Sequence, residues 1–166
     1  MEHLSVRRAE LPDLPQILTV YEYARKFMAD TGNPGQWGDT YPLESQILED
    51  IEKNQFYVVE KEKQICGAFA FLEGEDPAYL SIEEGQWRSD REYGSIHRVA
   101  GNGTARGVFG EIVKFCETKI SHLRIDTHED NKIMQHLIEK NGFCRCGIIH
   151  LANRGVRIGF EKTGSP

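Results

Sequence analysis

The stretch Asn131-Lys-Ile-Met-Gln-His-Leu-Ile-Glu-Lys-Asn-Gly-Phe143 decides the reading of the fold. Ile133, Met134, Leu137 and Ile138 recur at helical spacing, which predicts an amphipathic helix from about Asn131 to Lys140. Asn141-Gly142 ends it, because this pair tolerates the left-handed backbone found at helix C-termini. Just upstream, Leu123-Arg-Ile-Asp-Thr127 has the composition of a strand. Between the two, His128-Glu129-Asp130 is compatible with a metal or catalytic cluster. The preferred reading is capping by Thr127 or Asp130, with acidic charge complementing the helix dipole.

Further upstream, Ser95-Ile-His-Arg-Val-Ala100 reads as a strand, and Val108 to Lys119 places Val108, Ile112, Phe115 and Cys116 on one helical face. With the strand at Leu123 this makes a βαβ unit, whose crossover is expected to be right-handed. Downstream, strands at Cys144 to Leu151 and Val156 to Glu161 form a hairpin across Ala152 to Gly155. Strand alternation puts Cys144 and Cys146 on the same face.

The first half supplies the rest of the sheet. Leu4 to Ala9 alternates like a half-buried strand, and Leu11-Pro-Asp-Leu-Pro15 opens a helix carrying Ile17, Tyr21, Ala24 and Met28 on one face. Thr31 to Pro42 is a loop rich in Gly and Pro that contains Trp37 and Tyr41, and Leu43, Ile47 and Ile51 mark a short helix ending near Asn54. Phe56 to Glu60 and Ile65 to Leu72 are the arms of a hairpin turning at Lys61 to Gln64. Glu73 to Tyr93 is acidic and irregular, carrying Glu75, Asp76, Glu83, Glu84, Asp90 and Glu92 around Trp87. Two readings of it stand, a lid or acceptor-site wall and a solvated connection with a packed tryptophan.

At 166 residues, 39% hydrophobic and 28% charged, the chain suits one folded domain and not a disordered segment. The net charge of −6 offers no general basic field, so no nucleic-acid partner is expected, and the balance favours a cationic or neutral substrate. Cys66, Cys116, Cys144 and Cys146 occur without a leader-like or membrane-spanning stretch, which predicts a cytoplasmic protein with free thiols and no membrane partner. The Cys144/Cys146 pair lacks a second Cys/His pair at zinc spacing, so no metal is expected.

The chemistry is expected where the first strand of the βαβ unit gives way to its helix. Ala100-Gly-Asn-Gly-Thr-Ala-Arg-Gly-Val-Phe-Gly110 is a glycine-containing turn at a helix start, where free amides and the positive end of the dipole can hold phosphate. Neither G-x-x-x-x-G-K-[ST] nor G-x-G-x-x-G is present, which excludes the common nucleotide loops.

Over essentially the whole chain, the order of elements resembles the GCN5-related N-acetyltransferase (GNAT) family. Asn131 to Phe143 is similar to its N-x-x-A-x-x-L-Y-E-K-x-G-F pattern at Asn131, Leu137, Glu139, Lys140, Gly142 and Phe143. Ile96 to Ala100 resembles the family's fourth strand, and Arg106-Gly107 the opening of its pyrophosphate loop. The resemblance implies an α/β (α+β) acyl-CoA N-acyltransferase fold spanning 1–166 as a single domain. Its central sheet would be mixed, mostly antiparallel and of about seven strands, flanked by four helices.

The resemblance also implies acetyl-CoA as cosubstrate, direct transfer to a small-molecule or peptide amine, and a possible homodimer. The backbone of Val99, Ala100 and Gly101 would pair with the pantetheine arm. Ala105, Arg106, Gly107, Val108 and Phe109 would hold the pyrophosphate, with Asn131 also near coenzyme A. Ile138 stands where many members carry a tyrosine that protonates the departing thiolate, leaving His97, His150, Tyr93 and Cys144 as substitutes.

His97, in the strand nearest the expected thioester, is the candidate general base, the alternative being a packed structural histidine. Glu83 and Glu84 are candidates to bind or deprotonate the amine through water, or are simply solvated. Trp37, Tyr41 and Trp87 are candidates to line the acceptor pocket, or to pin loops to the core. A second functional reading is a non-catalytic acyl-CoA-binding or sensing module, and a third is a fold used only for protein interaction.

Overall fold

The computed structural model describes residues 3–152 and 154–164. Seven strands form one sheet: β1 (Leu4–Arg8), β2 (Phe56–Lys61), β3 (Gln64–Glu73), β4 (Gly94–Gly101), β5 (Leu123–Thr127), β6 (Cys144–Leu151) and β7 (Gly155–Lys162). Their spatial order is β1-β2-β3-β4-β5-β7-β6, and every neighbouring pair is antiparallel except β4 with β5. That parallel pair requires a crossover, supplied by helix α3 (Val108–Glu117), since α1 (Leu14–Asp30) and α2 (Glu44–Glu52) precede β2 and α4 (Lys132–Lys140) follows β5. The sheet and four helices are those expected from the sequence.

Both faces of the sheet are covered. On one, α1 presents Ile17, Val20, Tyr21 and Ala24, and α2 presents Ile47, to Phe56, Val58, Ala68, Ala70 and Ala100. On the other, Phe109, Ile112, Val113 and Cys116 of α3 and Ile138 of α4 pack on Tyr57, Phe69, Phe71, Ile96, Ile125 and Phe160. Burial on both faces explains why β2 and β3 read as nearly continuous apolar runs. Gly67 lets α3 approach this closely: a Cβ there would lie 2.8 Å from Val108 Cγ1 and 3.1 Å from the Ala100 carbonyl oxygen.

Several local expectations are corrected. The segment Leu11–Asp13 is a 3-10 turn, so α1 begins at Leu14, and Arg7 holds Asp13 of that turn at 2.8 Å. Asn131 caps α4, its side chain accepting the Met134 amide at 3.0 Å, and neither Thr127 nor Asp130 does so. A register shift between Arg145 and Gly147 breaks the alternation of β6, so Cys144 is exposed and Cys146 buried and the two do not share a face. All four cysteines are free. The β6–β7 turn includes Asn153, which lies outside the described residues.

The 73–93 connection is more ordered than an irregular loop. It holds a 3-10 turn (Pro77–Tyr79) and pairs Glu83 with Ile148 at the outer edge of β6 through two backbone hydrogen bonds, of 2.9 and 2.8 Å. Tyr79, Tyr93 and Ile149 form a third apolar cluster beneath it, with Trp87 packed against them. Arg124 lies between the Trp87 and Tyr93 rings, 4.2 and 3.9 Å from their centroids, and bonds Glu161 at 3.1 Å. Among the described residues no helix is long and apolar enough to cross a membrane.

The contact at Gly67 is testable. Gly67→Ala is expected to destabilise the protein by about 1–3 kcal/mol through overpacking. Adding Val108→Ala should recover part of that loss in thermal melts, because the closest clash is with the valine methyl.

Candidate active site

The site begins with an irregularity in β4. Ala70 pairs with His97 and Ala68 with Ala100, so Arg98 and Val99 together oppose Phe69. Arg98 takes φ 55°, a left-handed conformation unfavourable for an arginine, and the surroundings hold it there. Its guanidinium meets buried Asp50 of α2 at 2.7 Å and the Tyr41 hydroxyl at 3.2 Å, while its carbonyl accepts a hydrogen bond from the Tyr21 hydroxyl. At the approach to this bulge β4 leaves β5: their parallel pairing runs from Gly94↔Leu123 only to Ile96↔Ile125.

The separation exposes backbone. Asn102 donates its amide to Cys66 O on the β3 side at 3.0 Å. By strand alternation the Ala100 amide also turns toward β3, and those of Val99 and Gly101 turn toward the open edge. The chain then runs through Gly103 (φ 78°) to Gly107 (φ 73°), the residue before α3. The first bond of α3 runs from the Glu111 amide to Gly107 O at 3.1 Å, which leaves Val108, Phe109 and Gly110 amides without intrahelical partners at the positive end of the helix. Ala105, Arg106, Gly107, Val108 and Phe109 are therefore consecutive around this turn. Phe109 is buried in the core, so only its backbone faces outward chemistry.

A cavity of about 330 Å³ opens where β4 and β5 part. It brings together His97, Val99, Asn131, Trp37 and Tyr41 among the residues singled out in the sequence, and adds Gln36, Asp76, Asp126, Thr127 and Arg154. Trp37, 7% exposed, packs on Tyr21 and Tyr41 at ring distances of 5.7 and 6.1 Å, so it pins its loop while also lining the wall. Asn131 donates to Gln36 Oε1 at 2.9 Å across the cavity. Glu83, Glu84 and Trp87 lie elsewhere. Glu83 is drawn to the β6 edge and bonds exposed His150 at 2.9 Å, Glu84 follows it in an exposed left-handed turn, and Trp87 packs on Tyr79 and Arg124.

His97 has a partner that sequence reasoning did not single out. Its Nε2 lies 2.6 Å from Asp76 Oδ2, with the ring half-buried and stacked 5.7 Å from Tyr79. Asp76 is fixed from two further directions, its Oδ1 accepting the Ala78 amide at 2.9 Å and its own amide donating to the Tyr93 hydroxyl at 2.8 Å. Burial pushes the Asp76 carboxyl up, but the bond and charge of His97 and the Ala78 amide outweigh it and hold the group below the ordinary carboxylate range. The signal available in the sequence was Asp76-Pro77, a pair that starts a fixed turn. Tyr79, stacked on His97, donates its hydroxyl to Asp126 at 2.7 Å, and burial raises it well above the ordinary tyrosine value.

With Nε2–H given to Asp76, the neutral ring keeps its lone pair on Nδ1, which makes no hydrogen bond among the described residues. Such a ring can accept a proton, and the carboxylate behind it steadies the cation that results. Ile138 is fully buried in the core, and His150, Tyr93 and Cys144 are not among the residues lining the cavity. Among the described residues no three His, Cys, Asp or Glu side chains converge as a metal site.

No family sequence model and no curated protein sequence matches the chain. Solved structures do. A GNAT-family acetyltransferase from Streptococcus agalactiae is similar at a TM-score of 0.89 and 30% identity, over 98% of this chain and 96% of that one. A GNAT-family acetyltransferase from Bacillus cereus (TM-score 0.65, 19% identity, 99% of each chain) is similar in fold. So is a ribosomal-protein-alanine N-acetyltransferase from Brucella melitensis (TM-score 0.62, 20% identity, 96% of this chain and 99% of that one). The first likeness, combining that identity with nearly complete coverage of both chains, makes this chain a member of the GNAT family of acyltransferases.

Proposed function

We propose that the protein is an N-acetyltransferase that moves an acetyl group from acetyl-CoA to a primary amine of a small molecule or peptide, with His97 as general base. The observation that carries this reading is the Asp76–His97 pair in a cavity that opens beside the unpaired edge of β4. The residues present fit the cosubstrate: a Cβ at Gly107 would meet nothing within 4 Å, so the cradle before α3 is open. Acetyl-CoA bound there supplies a thioester already activated toward amine attack.

The chain's own groups account for the rest. Val99 and Gly101 amides hold the pantetheine arm, and the turn from Ala105 to Phe109 binds the pyrophosphate with the helix dipole behind it. Nδ1 of His97 takes the proton that an ammonium must lose before its nitrogen can attack. Asp76 fixes the tautomer and orientation of the ring. A thiol of pKa about 8.5 leaves without a donor near neutral pH, so a buried Ile138 does not stand against turnover. Residues 1–166 act as one domain in the cytoplasm, and a homodimer is the assembly expected from the family, which sedimentation reads directly.

Calorimetric titration with acetyl-CoA is the first test. Micromolar binding is expected, about tenfold weaker in Arg106→Glu, which reverses a charge in the pyrophosphate turn. No binding by the folded wild type would overturn the reading, and binding without turnover of any amine would leave an acyl-CoA-binding module. His97→Gln should lower kcat by about 10²–10⁴-fold with acetyl-CoA affinity nearly unchanged.

Asp76 gives a pH prediction. Its folded-state value lies below its unfolded one, so its ionised form contributes stability that is complete above about pH 4 and is lost as pH falls through the folded value. The melting-temperature gap between wild type and Asp76→Asn should therefore be present near about pH 7 and narrow by about pH 3. A gap that widens in acid would contradict the assigned direction.

A further inference from the structure

The cavity lining carries charge of both signs. Asp76, His97 and Asp126 line it, as does an arginine of the β6–β7 turn that has a second arginine near it. Arg154 lines the cavity and lies 3.6 Å from the centroid of the Tyr41 ring. Behind it Arg157 is 2% exposed, donating to Val156 O at 3.0 Å and to the carbonyl of Gln36, itself a lining residue, at 3.1 Å, while its Nε has no partner.

Neither arginine has a carboxylate within ion-pair distance among the described residues. The other interior arginines do: Arg98 has Asp50 at 2.7 Å and Arg124 has Glu161 at 3.1 Å. Burial, and after it the like charge of Arg154, pushes the Arg157 guanidinium below its ordinary value, with Asp126 only partly opposing. A buried cation without a counter-ion is costly, and the half-buried Arg154 near it adds to that cost. Thr127 Oγ1, in the same cavity wall, is likewise buried and without a partner.

We infer that the acceptor is a small amine that also bears a carboxylate, an amino acid or close analogue. Its nitrogen reaches His97 and its carboxylate docks on Arg154, with Arg157 adding positive field from behind. This inference rests on the acetyltransferase reading and deepens it. Arginine suits the task because its planar fork matches a carboxylate in two parallel hydrogen bonds. A cavity of about 330 Å³ is at the small-molecule end of binding sites. The local charge thus runs opposite to the preference for cationic or neutral substrates that the net charge of −6 suggested.

The test uses a panel of amino acids, each matched with its primary amide and its decarboxylated amine, with coenzyme A release as the readout. Carboxylate members should show kcat/KM about 10- to 100-fold above their partners, as expected for a charge-assisted contact. In Arg154→Gln that ratio should collapse toward one, and Arg154→Lys should keep part of it, while acetyl-CoA affinity holds in both. Amides or plain amines turned over as well as the acids, or a ratio unchanged in Arg154→Gln, would overturn the inference and leave the acetyltransferase reading intact. If acetyl-CoA binds but nothing is turned over, the acetyltransferase reading falls, and the acceptor assignment that rests on it falls too.

Discussion

The left-handed backbone of Arg98, held by Asp50, is the constraint on which the working half of the molecule depends. A strand left to regular pairing would follow β5 past Ile96 and close the sheet. With two residues of β4 opposing one of β3, the strand turns, and the amides of Val99 and Gly101 lose their neighbour on the β5 side. The ion pair is mostly sheltered, with side-chain exposures of 15% for Arg98 and 6% for Asp50. Solvent therefore screens it less than a surface pair, and removing one partner would strand the other charge. α2 contributes little apolar surface but supplies Asp50, which ties its position to the opening of the sheet.

From that opening, two regions of different construction follow. The β4 edge and the turn into α3 present mainly backbone amides, with Arg106 adding charge at the turn. The cavity beside them is lined by side chains from many regions, among them the α1–α2 loop, the 73–93 connection, the ends of β4 and β5, the start of α4 and the β6–β7 turn. On the function proposed above, this division would let one scaffold keep a cosubstrate site while the facing cavity changes, since function resides in the site and not in the fold.

What was legible in the sequence follows the same division. α4, α3 and the strands around them could be read because periodicity and glycine placement are local signals. The turn before α3 could be read because a strand, a glycine turn and a helix start are contiguous. Asp76 could not be told from its acidic neighbours, since only the return of the connection over the sheet brings it to His97. Arg157 sits in a segment that reads as an ordinary hairpin strand, and its contact with Gln36 of the distant α1–α2 loop is not visible from local sequence. Nothing in Ile96-His-Arg-Val-Ala100 announces a bulge, for no glycine marks the left-handed residue. Cys144 and Cys146 misled for a related reason, because a register shift depends on the partner strand.

The pairing of Glu83 with Ile148 has a consequence outside chemistry. β6 is a terminal strand, and an unpaired terminal strand is a template for another chain. The 73–93 connection caps it there with a one-residue rung, and Gly147 permits the contact, since a Cβ at that position would lie 2.5 Å from Glu83 O. The segment that brings Asp76 to the cavity thus also covers part of the β6 edge. Sequence change in this segment is therefore constrained by protection of a sheet edge as well as by the cavity it lines.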